Sequence, residues 1–437
     1  MDETAKKLLG SVAISPEIIE EIKKGVKNIS GFEKIIKEYI AQNTTNLLDV
    51  ILFGAISLEA SDIHIEPEEE QAKLRIRLDG VLQDVIFFEQ NIYHNLISRL
   101  KLLSKLKLNI TDKPQDGRFT IEVGDFLIEI RTSSLPAEYG ESIVMRILNP
   151  KNLIGLDDLG LRKDLYKIFD KEIKKPNGMI IVTGPTGSGK TTTLYAFLMK
   201  IQNPEIKIIT IEDPIEYHLK GVSQTQVAPE KGYDFSDGLR SIVRQDPDVI
   251  LVGEIRDLET AKIALQASLT GHLVLSTLHT NDAAGTIPRL VDLGTDASSI
   301  APALKMAVAQ RLVRKICKKC STLAKPTSTG LEEIKRGLKT VSKDVEIPDL
   351  DKTKIPKIKE KGCEFCNFTG YKGRKGLFEA FLVDAEMEKF ILTNPPVSSV
   401  RELAIKKGMT TMYQSGLIDV VLGNTTLDEV KRVVEEE

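Results

Sequence analysis

The sequence predicts an α/β chain: a parallel sheet covered on both faces, preceded by a smaller α+β domain. Three observations carry this. Short continuous apolar strands alternate with helical segments after Gly178, residues alternate with a period of two between about 62 and 147, and a phosphate-loop pattern follows the first of the apolar strands.

Residues 1–45 read as an N-terminal helical segment. A helix with one buried face follows, because Leu47, Leu48, Ile51, Leu52, Ala55 and Ile56 keep the i, i+3, i+4 spacing. From Asp62 the period becomes two: Leu74, Ile76 and Leu78 alternate with Lys73, Arg75 and Arg77, and the pattern recurs at Phe119-Ile121-Val123, Phe126-Ile128-Ile130 and Ile143-Met145-Ile147. With a helix at about 91–107 these make a compact α+β domain over 46–150. Residues 151–178, rich in breakers, read as a linker, and 179–312 as the parallel core with strands at 179–183, 206–211, 249–252 and 273–276. A cysteine-bearing subdomain is expected over 313–380 and a helical one over 381–437. The Lys-rich stretch from Lys335 to Lys361 reads as a solvated insertion rather than a nucleic-acid patch.

The composition, 41% hydrophobic and 28% charged over 437 residues, excludes a disordered chain, and 60 basic against 63 acidic residues leave no overall basic field for nucleic acid. No apolar run reaches the roughly 18 residues of a spanning helix, and the N-terminus lacks a signal peptide's apolar block. The expectation is a cytoplasmic protein. All four cysteines fall in two Cys-x-x-Cys pairs, Cys317/Cys320 and Cys363/Cys366. In a reducing compartment they point to metal before disulfide, and a tetrahedral zinc site suits them; the 42 intervening residues exceed the usual spacing, which leaves free thiols or a redox pair open.

The most specific signal is Gly184, Pro185, Thr186, Gly187, Ser188, Gly189, Lys190 and Thr191, a full G-x-x-x-x-G-K-[ST] with Thr192 next in line. Between a strand and a helix this is a P-loop: glycines turn backbone amides toward phosphate, Lys190 neutralises the β- and γ-phosphates, and the Thr191 hydroxyl ligates Mg²⁺. Two acidic positions end neighbouring strands. Glu254 follows Gly253, which stands where a Mg²⁺-holding Asp is usual, so Glu254 takes the water-orienting or general-base role; Glu212 competes for it, and either carboxylate could instead cap a helix. His279 lies just past a strand end, where it either senses phosphate or caps; His272 reads as structural. Arg131 and Arg146 would face each other across a hairpin centred between Glu138 and Tyr139, a repulsive pair unless an anion lies between them; a register slip would leave both solvated. Arg240 and Arg244, i and i+4 on one helix, reach either a phosphate or carboxylates.

Together, Ala60-Ser-Asp-Ile-His-Ile-Glu-Pro67, the P-loop, Ile211-Glu-Asp-Pro-Ile-Glu-Tyr-His218, the segment from Leu239 to Asp248, Gly253-Glu-Ile-Arg-Asp257 and Ser276-Thr-Leu-His-Thr-Asn-Asp-Ala283 resemble the secretion ATPases of type II secretion and type IV pilus assembly. The resemblance covers about residues 45–437. It implies a RecA-like core behind a PAS-like domain, a homohexameric ATP- and Mg²⁺-dependent motor, and Arg131, Arg146, Glu254 and His279 at the nucleotide. It also implies an inner-membrane platform protein as partner, with membrane association through partners only. Assembly and secretion members commonly carry the cysteine module, whereas retraction members lack it. The longer N-terminal domains with which many members grip the platform do not stand in this sequence. A nucleic-acid translocase on the same core is the alternative, and the acidic balance weighs against it.

Overall fold

The computed structural model describes residues 11–124, 126–359 and 361–434. The chain divides into two units, residues 1–152 with 360–372 and residues 153–359 with 373–437. The first ten residues of the expected N-terminal helical segment, and 435–437 of the expected C-terminal one, lie outside the described residues.

In the first unit, helices Pro16–Gly25, Ile29–Ile40 and Thr44–Ser57 each start at a side-chain cap. Ser15, Asn28 and Asn43 accept from the amides of Ile18, Gly31 and Asn46, each such cap contributing about 1 kcal/mol. The strands are β1 (Ser11–Ala13), β2 (Asp62–Pro67), β3 (Gln71–Leu78), β4 (Val81–Glu89), β5 (Gln115–Val123), β6 (Phe126–Ala137) and β7 (Gly140–Leu148), in the order β1-β5-β6-β7-β2-β3-β4. β1 runs parallel to β5, and the remaining pairs are antiparallel. In β3, Ala72, Leu74, Ile76 and Leu78 turn inward while Lys73, Arg75 and Arg77 alternate outward, as the period of two predicts.

Two features differ from the sequence expectation. Leu47 to Ile56 are buried around the whole helix, not along one face, because the two preceding helices and helix Gln90–Leu103 all pack on it. Close approach explains Gly54, where a Cβ would stand 2.1 Å from the Phe32 ring. The segment before residue 45 is also no separate element: Ile14, Ile18, Ile22, Phe32 and Ile36 join the same core as the sheet.

The second unit holds β8 (Gly178–Thr183), β9 (Ile208–Glu212), β10 (Ser223–Gln226), β11 (Val249–Val252), β12 (Leu273–Leu278), β13 (Leu304–Ile316), β14 (Ser321–Ala324), β15 (Ile355–Ile358) and β16 (Tyr371–Leu382). Its main sheet has the order β10-β9-β11-β12-β8-β13-β16, with every pairing from β10 to β13 parallel. One face packs on helices Lys163–Glu172 and Lys190–Ile201 through Phe169, Leu194 and Phe197. The other packs on Phe235–Val243, Leu258–Leu269 and Thr286–Asp292 through Leu239, Leu265 and Ile287. Both faces are covered, as continuous apolar strands require.

The expected boundaries differ from the packing in three places. β13 and β16 run through 312/313 and 380/381, so the strands flanking the cysteine module belong to the core sheet. The expected linker contains helix Lys163–Glu172, whose Leu165 and Phe169 are buried in the core. Part of the Lys-rich insertion is packed rather than solvated: Leu338, at the end of helix Ser328–Leu338, and Val345 are buried in one cluster with Leu417 and Ile418 of helix Met412–Val421. Strand pairing between distant segments, which neither breakers nor charge encode, decides where the units divide.

Candidate functional site

Parallel strands aim their C-terminal ends to one edge, and β8, β9, β11 and β12 deliver the P-loop, Glu212, Glu254 and His279 there. The P-loop leaves β8 at Gly184 and enters helix Lys190–Ile201 at Gly189, with φ of 142° and 91° at these two residues. A Cβ on Gly184 would stand 2.5 Å from the Gln310 carbonyl oxygen of β13, so both conformation and space require glycine. Among the described residues no side chain caps the helix, which leaves its first amides available, as a phosphate cradle needs. Pro185, Thr186, Gly187 and Thr191 are exposed, whereas Ser188 is buried and its Oγ has no partner among the described residues. Thr192 is half-buried, and Thr193 donates to Gln310 Oε1 at 2.7 Å, fixing the helix start against β13.

Lys190 Nζ donates to the carbonyls of Gly184 (2.8 Å) and Pro185 (3.1 Å), folded onto its own loop. Burial draws its pKa below the ordinary lysine value; Glu254 opposes this and Arg311 adds to it. Both groups are therefore electrostatic neighbours of the ammonium. Glu254, with a side chain 12% exposed, lies 3.3 Å by Oε2 from His279 Nε2, and its other oxygen pairs with Arg256. It caps no helix: Asp257 accepts from Thr260 N and starts the next one. Gly253 is glycine because a Cβ there would press at 3.3 Å on the backbone of Ile211 and Glu212. The structure thus brings Lys190, Glu254 and His279 together.

Glu212 stands elsewhere. It is 3% exposed, and its carboxylate accepts from Thr210 Oγ1 (2.6 Å), Gln224 Nε2 (3.2 Å) and the Tyr195 hydroxyl, leaving it neither a cap nor a carboxylate open to water. Burial first, then the adjacent carboxylate, push the Tyr195 phenol above the usual tyrosine range, which keeps it a donor. His272 donates from Nδ1 to Ala267 O at 2.9 Å, a structural place. Arg240 pairs with Asp237 and Glu259, and Arg244 closes the helix Phe235–Val243 as its C-cap, so the carboxylate alternative is the one this arrangement contains for Arg240.

In the first unit, Arg131 and Arg146 are direct partners across β6 and β7, with Ala137 opposite Gly140, the register the hairpin spacing predicts. Arg131 Nε reaches Glu129 (3.1 Å) and Arg146 Nε reaches Asp62 (3.2 Å), so acidic neighbours offset part of the repulsion.

The sulfurs of Cys317, Cys320, Cys363 and Cys366 all lie within 4.8 Å of one another. Zinc–sulfur bonds of about 2.3 Å in a tetrahedron set sulfurs about 3.8 Å apart, and Cys363 Sγ stands 3.8 Å from Cys366 Sγ. The amides of Cys363 and Gly370 donate to Cys366 Sγ at 3.3 and 3.2 Å, the support a thiolate ligand takes. The donor set fits zinc.

Sequence reasoning missed Gln310 and Arg311, which border the P-loop from β13. Two adjacent polar residues inside the apolar run from Ala307 to Val313 were the available signal.

A family model described as type II/IV secretion system protein matches residues 40–432. The type II secretion system protein E of Xanthomonas campestris pv. campestris is 42% identical over 392 residues, covering 89% of this chain and 67% of that protein. The type IV pilus assembly ATPase PilB of Thermus thermophilus is 39% identical over 429 residues, covering 98% of this chain and 45% of its own length. Among solved structures, the pilus retraction motor PilT with bound ADP superposes with a TM-score of 0.58 at 28% identity, over 88% of this chain and 96% of that one.

Proposed function

The chain belongs to the type II/IV secretion system protein family, and on that premise we propose that it is a Mg²⁺-dependent ATPase working as a homohexameric motor for pilus assembly or protein secretion. The second unit is then the RecA-like core and the first the PAS-like domain, with an inner-membrane platform protein receiving the motion. The observation that carries the reading is the convergence of Lys190, Glu254 and His279 at the end of one parallel sheet behind an uncapped P-loop.

Bound Mg-ATP supplies the phosphoanhydride whose hydrolysis yields the work. Lys190, resting at the loop, offers its charge to the β- and γ-phosphates, and Thr191 offers its hydroxyl to Mg²⁺. Glu254 takes the proton of the attacking water, with His279 and Arg256 fixing its carboxylate. Arg131 and Arg146 form an anion-binding pair that adds positive charge for phosphoryl transfer. The four cysteines hold a structural zinc, since four thiolates leave no open position for water.

Phosphate release from ATP, measured with Mg²⁺ and with EDTA, with and without DNA, tests this. Mg²⁺-dependent release indifferent to DNA is expected. Absence of release sinks the ATPase reading, and stimulation by DNA moves it to a nucleic-acid translocase.

A further inference from the structure

The segment from Leu278 to Ala283 carries His279 beyond the end of β12, and its polar holds come from four separate elements, β8, β13, β16 and the helix Val397–Lys406. Thr183, the last residue of β8, accepts from the Thr280 amide at 2.8 Å and donates to Leu278 O at 3.0 Å. Glu379 of β16 accepts from the Ala283 amide at 2.7 Å, and Arg401 pairs with Asp282. The fourth hold is Arg311 of β13, whose NH2 donates to Asn281 O at 3.2 Å.

Arg311 differs from the other three in where the rest of it lies. Its NH1 is buried without an acceptor among the described residues and stands 3.4 Å from the point a Cβ on Gly184 would occupy. The same guanidinium therefore touches the loop after β12 and borders the first residue of the P-loop, whose carbonyl also holds Lys190. Burial lowers the pKa of the half-buried Arg311, while the neighbouring carboxylates of Glu379 and Asp282 oppose it. A cation spent only on packing could be replaced by a neutral side chain; one bridging two loops of a reacting site fixes their separation.

We propose that Arg311 is a positioning residue that fastens the His279-bearing loop to the start of the P-loop, keeping the imidazole within reach of Glu254. It acts through His279 and touches no reacting atom. The inference rests on the ATPase reading.

The test compares steady-state ATPase of the full chain carrying Arg311→Ala, Arg311→Lys, His279→Ala, and Arg311→Ala with His279→Ala. For Arg311→Ala, kcat falls by about 10- to 100-fold, the effect of a small misplacement, with KM for ATP changed by less than about twofold. Arg311→Lys recovers part of the loss, because an ammonium can still donate to Asn281 O. The double variant is no slower than His279→Ala alone. A raised KM with kcat kept, or losses that multiply in the double variant, overturns the proposal. If the wild-type chain releases no phosphate, the ATPase reading fails by itself, and amide exchange decides the positioning claim. Faster exchange at Thr280 and Ala283 in Arg311→Ala than in wild type upholds it; equal exchange rejects it.

Discussion

Lys190 rests with its ammonium on the Gly184 and Pro185 carbonyls, so the charge that meets a phosphate is already at the loop. Lys190→Ala removes the only cation of the P-loop itself, and loss of ATP binding or turnover is the expected result. Glu254→Gln should separate the two functions, since an isosteric amide keeps the shape near His279 but cannot take a proton. Equilibrium binding should stay intact while turnover falls below about a tenth of wild type; turnover above that level would take the base role away from Glu254. Glu212 offers no ready substitute, with Thr210, Gln224 and Tyr195 already donating to it. For Arg131→Ala and Arg146→Ala, normal nucleotide binding with most turnover lost is expected, because arginine contacts to a transferring phosphoryl are worth roughly 10³- to 10⁵-fold in other enzymes. Two variants with wild-type turnover would show that the pair serves the sheet alone.

At the scale of elements, the helix Thr44–Ser57 carries a measurable cost. Asp49 is buried there, and burial raises its pKa from 3.8 to about 6, with Arg99 pulling the other way. A carboxyl whose folded pKa is raised favours the folded state while protonated, so its contribution is full below about pH 4 and is lost as pH rises through about 6. Asp49→Asn should therefore stabilise the chain by on the order of 2 kcal/mol at pH 7 and by almost nothing near pH 4. Urea unfolding of both proteins across that range checks it, and a difference independent of pH would refute the cause. The cysteine module makes an independent prediction: about one zinc per chain by elemental analysis, with Cys317→Ser or Cys363→Ser loosening residues 310–380 while ATP still binds. Metal-free protein with an unchanged melting profile would contradict it.

For the whole molecule, the prediction is assembly. Phosphoryl transfer draws on more positive charge than one P-loop holds, and closed rings are how identical chains supply one another with such groups. A homohexamer is expected, with specific activity rising with protein concentration as rings form. Light scattering that finds a monomer where activity per chain is maximal and independent of concentration would end the ring mechanism. No described helix is long and apolar enough to cross a membrane.

The sequence by itself determined the P-loop between strand and helix, the alternation of β3, the opposition of Arg131 and Arg146, and the place of Glu254 beyond its strand. Each of these depends on a local period, a turn centre or a fixed spacing, which the chain carries in order. Only the tertiary structure decided that Glu212 is a buried acceptor of Tyr195 and Gln224, and that Arg240 meets Glu259. It also decided that Arg311 reaches Asn281 and that β13 and β16 extend the core sheet on either side of the cysteine module. The reason is the same in each case: a buried polar group must find a partner, and that partner stands on another element, at a distance along the chain that no period encodes.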